Sequence, residues 1–424
     1  MTSDAAGPAP REAYVWTWLP GHDAPVVAGR LAPTPAGLQF NYGRSYLARA
    51  DAVPLYLPEL PLQPGQLPLP AGRTMPGCQR DAAPDAWGRR VILNRVLGAA
   101  GAGADTAVLD ELSYLLHSGS DRIGALDFQA SATQYVSREA GAATLQELAE
   151  SAERVEQGLP LSPALAQAIQ HRTSIGGARP KATLDGDGHK WIAKFSSSSD
   201  VQPIVKMEFV AMRLAALAGL DVAPVRLVQA AGKDVLLVER FDRVPQTDDS
   251  WGRRALVSAL TLLQLDEMMA AYASYEELAE IVRHRFNEPR ATLRELFARL
   301  VFNILCGNTD DHARNHAAFW DGEQLSLTPA YDICPQARAG QEATQAMKIL
   351  GENRFSRLTV CLDAADRFQL SVPEARVIID GQLQAVHRHW PAVCDEARLG
   401  EAQRHALWGR QFLNPFALQD YAQA

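Results

Sequence analysis

A run of sixteen residues, GNTDDHARNHAAFWDG (307–322), places three acids, two histidines and an arginine between two segments whose patterns predict burial. The preceding segment, TLRELFARLVFNILCGN (292–308), repeats apolar residues at helical spacing, which predicts a buried helix with Gly307 at its C-terminal end. The following segment, from AAFW through the turn Asp321-Gly322 to LTPAYD, predicts a hairpin. A polar loop fixed at both ends in this way is a common location for catalytic groups.

Length and composition describe an ordinary globular chain. Its 424 residues predict two or three domains, and 47% hydrophobic with 21% charged residues is typical of globular proteins. The net charge of −8 argues against bulk electrostatic binding of nucleic acid. We expect no secretory signal peptide in MTSDAAGPAPREAY and no membrane span, because no apolar run approaches the ~20 residues required. Five scattered cysteines without a CxxC pair favour a cytoplasmic location.

The first part of the chain predicts a small α/β domain. Short apolar runs between turn residues predict strands in VVAGRL (26–31), GLQFNYG (37–43) and AVPLYLPEL (52–60). The segment PDAWGRRVILNRVLGAAG predicts a helix, with Pro84 at its start and Gly98 near its end. Two further helices are predicted in the segments 142–160 and 161–172.

The pattern then changes to an antiparallel sheet with one inserted helix. A hairpin is predicted over 178–195, around the turn Asp-Gly-Asp-Gly, and an amphipathic helix over 203–220. Two more strands, APVRLVQ and DVLLVERFDR, follow before a polar linker near 244–252. The fold class is therefore α+β. The predicted domains are a small N-terminal α/β domain at 13–130, an N-lobe at 131–245 and a large all-helical C-lobe at 246–424.

The spacing of acids and amides in the polar loop matches phosphoryl transfer by protein kinases. That chemistry needs an Asp beside the attacking hydroxyl, an Asn five residues later for a metal ion, and a second metal-binding Asp after a short hairpin. Asp310 and Asn315 are five residues apart, and Asp332 follows the predicted hairpin. One loop would thus present the base and a ligand, and the hairpin would return the chain with a second carboxylate.

Upstream segments supply the other kinase elements in the expected order. Lys194 in WIAKF resembles the strand lysine that neutralises phosphates, and Glu208 on the next helix is placed to pair with it. The loop SIGGARPK (174–181) has two adjacent glycines whose N–H groups can approach phosphate oxygens, and Arg179 and Lys181 add positive charge. VERFDR (238–243) stands where a kinase hinge would bind adenine.

Each residue type also has an ordinary structural use. Asp310, Asp311 and Asn315 are common turn and cap residues, and a glycine pair often marks a turn. His312 and His316 with Asp311 could ligate zinc, but a third strong ligand and the HExxH glutamate are missing. Lys194 could be an exposed strand residue and Glu208 a solvated helix residue. The combination in kinase order, on the required elements, favours a phosphotransferase.

With these residues identified, the chain resembles the HipA family, bacterial serine/threonine kinase toxins of HipBA-type toxin–antitoxin modules. The resemblance extends from about residue 14 to 420 and implies a protein-kinase-like, two-lobed fold of HipA type. Its most specific motifs are NTDDHARNHA with LTPAYDICP, and it also includes SIGGARPKA, WIAKF, LLVERFDR and the N-terminal GRSYLA with PDAWGRR.

The resemblance implies a role for each matching residue. It makes Asp310 the catalytic aspartate and gives Mg²⁺ to Asn315 and Asp332. It implies an ion pair between Lys194 and Glu208, and autophosphorylation of Ser174 with Thr173 as the neighbouring candidate. The implied ATP-binding residues are Ser174, Gly176, Gly177, Ala178, Lys181, Lys194, Glu239, Phe241 and His312.

The resemblance also implies partners. Family members phosphorylate a protein, an aminoacyl-tRNA synthetase in the best-known case, and are held by a small DNA-binding HipB-like antitoxin. This chain has no recognisable helix-turn-helix, so we expect DNA binding only through such a partner and no membrane association. Two other functions stay open: a small-molecule kinase of the aminoglycoside or choline type, and a catalytically inactive co-repressor that binds the antitoxin.

Overall fold

The structure is a computed structural model, and its described part divides into two compact units. Unit 1 consists of residues 1–200, 228–257 and 320–323, and unit 2 of residues 201–227, 258–319 and 324–424. Within these limits the structure describes residues 10–98, 105–139, 141, 143–197, 200–246, 250–338 and 340–421.

Thirteen strands are present in the described part of the chain, which confirms a mixed helix and sheet architecture. They are β1 Ala13–Trp18, β2 Pro25–Thr34, β3 Gly37–Tyr42, β4 Leu126–Gln129, β5 Lys181–Gly186, β6 His189–Phe195, β7 Val225–Ala230, β8 Lys233–Glu239, β9 Arg243–Pro245, β10 Trp251–Arg253, β11 Ala255–Ser258, β12 Ala317–Trp320 and β13 Leu325–Leu327.

The α-helices range from single turns to 25 residues. Across the described residues they are α1 Arg44–Leu47, α2 Gly77–Arg80, α3 Ala86–Leu97, α4 Glu111–His117, α5 Leu145–Glu156, α6 Pro163–Ile169, α7 Ile204–Leu217, α8 Ala259–Leu262, α9 Tyr275–Arg285, α10 Pro289–Cys306, α11 Leu358–Asp363, α12 Val372–Glu396, α13 Glu401–Leu407 and α14 Pro415–Leu418. No helix in these ranges is long and apolar enough to cross a membrane.

Unit 1 contains two four-stranded sheets. The N-terminal sheet has the order β3-β2-β1-β4, with β1 antiparallel to both of its neighbours. The second sheet has the order β5-β6-β8-β7, with β6 antiparallel to β5 and β8. Alternating side chains of β6 are buried because residues along a strand point to opposite faces.

One hydrophobic core joins α3 to the second sheet. Trp87 and Val91 of α3 pack in the same buried cluster as Trp191 and Phe195 of β6, and helices α5 and α6 add Leu148 and other side chains. The Trp87 side chain is fully buried, and its indole N–H donates a 2.8 Å hydrogen bond to a backbone carbonyl of β5. The helix predicted in PDAWGRR therefore belongs to the core beneath the second sheet.

A buried ion cluster fixes the end of β8. Arg240 and Arg243 both contact Asp242 and Asp121, and both donate to the Arg122 carbonyl. Burial raises the pKa of Asp242, but the charges of the two arginines outweigh this effect and bring the pKa down to about 2. The two arginines thereby connect the end of β8 to the 121–124 segment.

Unit 2 is organised around α10. Twelve of the eighteen residues of α10 are buried, and the helix packs against α9, α11 and α12. Helix α7 packs against α12 on another side of the same unit. The predicted helix over 292–308 is therefore confirmed as the central core helix of unit 2.

Several sequence predictions need correction. AVPLYLPEL forms no strand, only an isolated Tyr56–Leu60 bridge, because Pro54 and Pro58 lack the N–H groups that a sheet requires. The predicted linker near 244–252 includes residues of the paired antiparallel strands β9 and β10, and its residues 247–249 lie outside the described part. The C-terminal part is not all-helical, because β12 and β13 lie within it.

The core position of Trp87 gives the first testable prediction. Trp87→Ala removes a fully buried indole and its hydrogen bond, so we expect unit 1 to lose about 3–5 kcal/mol of unfolding free energy. Urea denaturation measures the change. Val108→Ala, at a side chain 58% exposed, is the control and should change stability by less than about 0.5 kcal/mol. Equal effects of the two substitutions would contradict the assigned core.

Candidate active site

The polar loop of unit 2 begins at a glycine that no other residue can replace easily. Gly307 ends α10 in the left-handed conformation with φ of 72°. A Cβ atom there would lie 2.6 Å from the backbone carbonyl oxygen of Gln411. The predicted C-cap is therefore confirmed, and the close packing fixes the direction in which the chain leaves the core helix.

Asp310 and Asn315 lie together in this loop, as their spacing predicts. Asp310 is exposed and Asn315 is buried. The Asn315 side-chain N–H donates a 3.2 Å hydrogen bond to the Asp310 backbone carbonyl, across a short 3₁₀ turn that ends at Asn315. With the amide nitrogen used in this way, the amide oxygen is the atom that can serve as a ligand.

Asp332 follows the β12–β13 hairpin in an uncommon backbone conformation. Its φ is 58°, in the left-handed region that Asp tolerates better than most residues. Two residues earlier, the Ala330 N–H donates a hydrogen bond to the Asp221 carbonyl. The Ala330 carbonyl accepts one from the Ala223 N–H. The Tyr331 hydroxyl donates a 2.7 Å hydrogen bond to the Arg314 carbonyl, which ties the segment of Asp332 to the polar loop.

The electrostatics of Asp310 show that these groups are neighbours. Although the residue as a whole is exposed, partial burial of its carboxyl raises its pKa above the usual 3.8, and the negative charges of Asp332 and Asp311 raise it further. His312 acts in the opposite direction and lowers it, so this predicted ATP-binding side chain also lies near Asp310. A carboxylate with a raised pKa is a better proton acceptor than an ordinary aspartate.

The oxygens of this site are of the kind that magnesium prefers. Carboxylate and amide oxygens, as on Asp332 and Asn315, are hard ligands that Mg²⁺ prefers, with further positions filled by phosphates and water. Among the residues that the structure describes, no group of three His, Cys, Asp or Glu could hold a metal ion. The alternative zinc site would need His316 as a ligand, but Nε2 of His316 lies 2.8 Å from Asp311 Oδ1.

In unit 1, the glycine loop has the conformation that its sequence predicts. Gly176 and Gly177 have φ of 79° and 85°, in the region that favours glycine. The Lys181 ammonium packs against the Gly177 Cα, where a Cβ would collide with it. Ala178 is exposed in the same loop.

Two lysines face each other across the neighbouring strands. Lys181 of β5 and Lys194 of β6 are direct register partners in the antiparallel pair. Side chains of register partners lie on the same face of a sheet, so the two cationic side chains share one face of the β5–β6 pair. The sequence predicts each lysine as a phosphate contact, but only the register shows that they are paired on one face.

The first turn of α3 holds the glycine loop through backbone groups. The Asp85 carboxylate accepts a hydrogen bond from the Gly177 N–H, and the Trp87 N–H donates to the Gly177 carbonyl at 3.2 Å. The Arg90 guanidinium donates to the Ala178 carbonyl at 2.6 Å. These contacts were missed in the sequence because about ninety residues separate the partners, and only the Pro-Asp helix start in PDAWGRR could have suggested a contact group.

Other predicted residues of unit 1 are placed differently from expectation. Arg179 forms a two-point ion pair with Asp200, at 2.8 and 2.6 Å, so its charge is already balanced. Ser174 and Thr173 are buried, at 3% and 5% exposure. Either hydroxyl must therefore leave its present position before it can be modified.

The binding of adenine by backbone groups of the hinge segment 238–243 stays a prediction. Glu239 ends β8, and its carboxylate lies 2.8 Å from Nδ1 of His189. Phe241 is half-buried just beyond it. Lys194 belongs to unit 1 and the buried Glu208 of α7 to unit 2, and the ion pair between them also stays a prediction.

Comparison with known proteins now identifies the family. A model of the HipA-like C-terminal domain matches residues 173–390, and a model of the HipA N-terminal domain matches residues 22–129. The chain belongs to the HipA family. The first match includes the glycine loop, both lysines, the polar loop and Asp332.

Relatives and a solved structure agree with this assignment. The chain is 28% identical to the putative kinase Y4mE of Sinorhizobium fredii over 73% of this chain and 77% of that protein. It is 27% identical to the serine/threonine-protein kinase toxin HipA of Shewanella oneidensis over 38% of this chain and 43% of the toxin. The HipA chain solved in a Shewanella oneidensis HipA–HipB–operator DNA complex matches with TM-score 0.63 and 19% identity, over 96% of this chain and 99% of that chain. That structural likeness shows the fold.

The raised pKa of Asp310 gives a prediction about stability and pH. A carboxyl whose pKa is raised on folding destabilises the folded state when ionised, fully above the raised pKa and not at all below about 3.8. We therefore expect Asp310→Asn to raise the melting temperature at pH 7 in metal-free buffer. The gain should shrink as the pH falls toward 4, as measured by calorimetry. A lower melting temperature of the variant at pH 7 would contradict the raised pKa.

Proposed function

We propose that this chain is an ATP- and Mg²⁺-dependent serine/threonine protein kinase of HipA type. The observation that carries the proposal is the grouping of Asp310, Asn315 and Asp332, which hydrogen bonds from Asn315 and Tyr331 hold together. Kinase chemistry needs little covalent help from the protein, so a positioned base and two hard metal ligands are its essential parts.

The residues of unit 2 have separate roles in this proposal. Asp310 orients the acceptor hydroxyl and takes its proton, which the raised pKa of Asp310 favours. Asn315 and Asp332 hold Mg²⁺ through their side-chain oxygens. When bound, Mg²⁺ neutralises the charge that develops on the phosphates.

The residues of unit 1 have the role of binding ATP. Lys181 and Lys194, which are register partners in β5 and β6, would bind anionic phosphate oxygens. N–H groups of the loop at Gly176 and Gly177 would add hydrogen bonds, and backbone groups near Glu239 and Phe241 would receive the adenine. Lys194 and Glu208 would form the ion pair of an active kinase.

The acceptor and partner follow from the family. We propose a protein hydroxyl as acceptor, in a translation factor or aminoacyl-tRNA synthetase, and a HipB-like antitoxin as partner, as in the Shewanella complex. The chain would be the toxin of a type II toxin–antitoxin pair, in the cytoplasm. The division at 13–130, 131–245 and 246–424, with kinase-like lobes in the last two, is part of this proposal. A small-molecule kinase or an inactive co-repressor is disfavoured, because neither accounts for the N-terminal domain together with a complete set of catalytic groups.

Asp310→Asn tests the proposed reaction. The amide keeps the shape of the side chain but cannot accept the proton, so we expect kcat for phosphoryl transfer from ATP to fall by about 10²- to 10⁴-fold. The affinity for ATP should change little. Asp363→Asn, at another exposed aspartate of unit 2, is the matched control and should keep wild-type kcat. Full activity in Asp310→Asn would remove Asp310 from its proposed role.

The burial of Ser174 gives a prediction about self-regulation. A phosphoserine carries nearly two negative charges and cannot occupy the buried position of Ser174, so modification would hold the loop outside its present place. We expect wild-type activity to decline during incubation with ATP as phosphate accumulates on Ser174. Ser174→Ala should stay active and Thr173→Ala should behave as wild type, as judged by timed assays with peptide mass spectrometry. Phosphate on Thr173 instead would assign the switch to that residue.

A further inference from the structure

A buried polar triangle lies directly behind the proposed catalytic groups. The Tyr275 hydroxyl, from the first residue of α9, donates a hydrogen bond to Asp311 Oδ2 and lies 3.1 Å from Nε2 of His316. The same Nε2 lies 2.8 Å from Asp311 Oδ1. All three side chains are buried, with exposures of 0% for Tyr275, 1% for Asp311 and 3% for His316.

The two loop members of the triangle occupy informative positions. Asp311 directly follows the proposed base Asp310, and His316 directly follows the proposed metal ligand Asn315. In each pair the second residue is the more deeply buried. Fixing Asp311 and His316 to one hydroxyl therefore fixes the backbone immediately beside both functional side chains.

The third member of the triangle is itself firmly held. The Tyr275 N–H donates a 2.9 Å hydrogen bond to the Lys348 carbonyl, and the nearby Ala346 N–H donates to the Thr309 carbonyl at 3.1 Å. The 346–348 segment thus contacts both Tyr275 and the residue that precedes Asp310. Helix α9 and the 346–348 segment of unit 2 therefore both contact the loop on its buried side.

The energetics make the triangle cooperative. A buried carboxylate is costly unless its oxygens are hydrogen-bonded, and here each Asp311 oxygen has a donor. Removing the Tyr275 hydroxyl leaves Oδ2 without that donor, so the loop would relax to find another one. A shift of about 1 Å at catalytic groups can lower a rate about 10²-fold.

We propose that Tyr275, Asp311 and His316 are positioning residues that set the placement of Asp310 relative to Asn315. This inference rests on the proposed kinase function and adds three residues to it, none of which touches the reacting atoms. Outer contacts of this kind typically change metal affinity or activity about 10- to 100-fold when they are removed.

Tyr275→Phe tests the inference because it deletes one hydroxyl and keeps the ring. We expect kcat to fall about 10- to 100-fold at a temperature well below the melting transition. The Mg²⁺ concentration that half-saturates binding of a non-hydrolysable ATP analogue, measured by calorimetry, should rise several-fold. The KM for ATP at saturating Mg²⁺ should stay close to wild type, because no ATP contact is changed.

Tyr421→Phe is the matched control. The Tyr421 residue is also buried in unit 2, and its hydroxyl also donates to an aspartate, Asp380, at 2.7 Å, in a part-buried hydrogen bond. It should lower the melting temperature by an amount comparable to Tyr275→Phe and leave kcat and the Mg²⁺ requirement unchanged. If Tyr275→Phe shows only the same loss of melting temperature, the triangle is structural and the inference is wrong.

A second pair of variants keeps the test decisive if Tyr275→Phe does not fold. His316→Gln retains an N–H that can reach Asp311, whereas His316→Leu does not. We expect His316→Leu to have a lower kcat and a higher Mg²⁺ requirement than the wild type. In His316→Gln, both quantities should be close to the wild-type values. Equal activity of the two variants would overturn the inference. A wild-type chain that transfers no phosphate would instead overturn the proposed function, and the inference with it.

Discussion

The arrangement of Asp310 and Asn315 depends on one buried contact, between Tyr275, Asp311 and His316. A loop that exposes a carboxylate to solvent cannot be held there by hydrophobic packing, because its own side chains are polar. Here the buried Asp311 is hydrogen-bonded to both Tyr275 and His316, and Gly307 lets the loop start close to the Gln411 carbonyl. The hydroxyl of Tyr331, which directly precedes Asp332, then connects the segment of Asp332 to the same loop.

In unit 1, the glycine loop is held in place through its backbone. Glycines give backbone freedom but no side chains to anchor, so Gly177 is held through its N–H and carbonyl by Asp85 and Trp87. Trp87 is in turn fixed in the core beneath the second sheet. Helix α3, which lies within the HipA N-terminal match, therefore contributes directly to the conformation of the proposed phosphate-binding loop.

Local patterns predicted the elements whose signals are complete within a few residues. The hairpin of β5 and β6 had its Asp-Gly turn, α10 had its apolar spacing and Gly307, and the Asp310–Asn315 spacing placed both in one loop. Contacts between distant segments were not predictable. The sequence gives no sign of the contacts of Asp85 and Tyr275, because their partners are 92 and 36 residues away. The strand predicted in AVPLYLPEL is absent because its two prolines lack the N–H groups that a sheet requires.

The central claim is that the chain moves the γ-phosphoryl group of ATP to a protein hydroxyl. The most direct test is intact-mass and peptide mass spectrometry of the purified chain after incubation with Mg²⁺ and ATP, with Asp310→Asn treated in parallel. The account predicts an added phosphoryl group on a serine or threonine of the wild-type chain and none on the variant. The same modification on both chains, or on neither while ATP is hydrolysed to free phosphate, would contradict it.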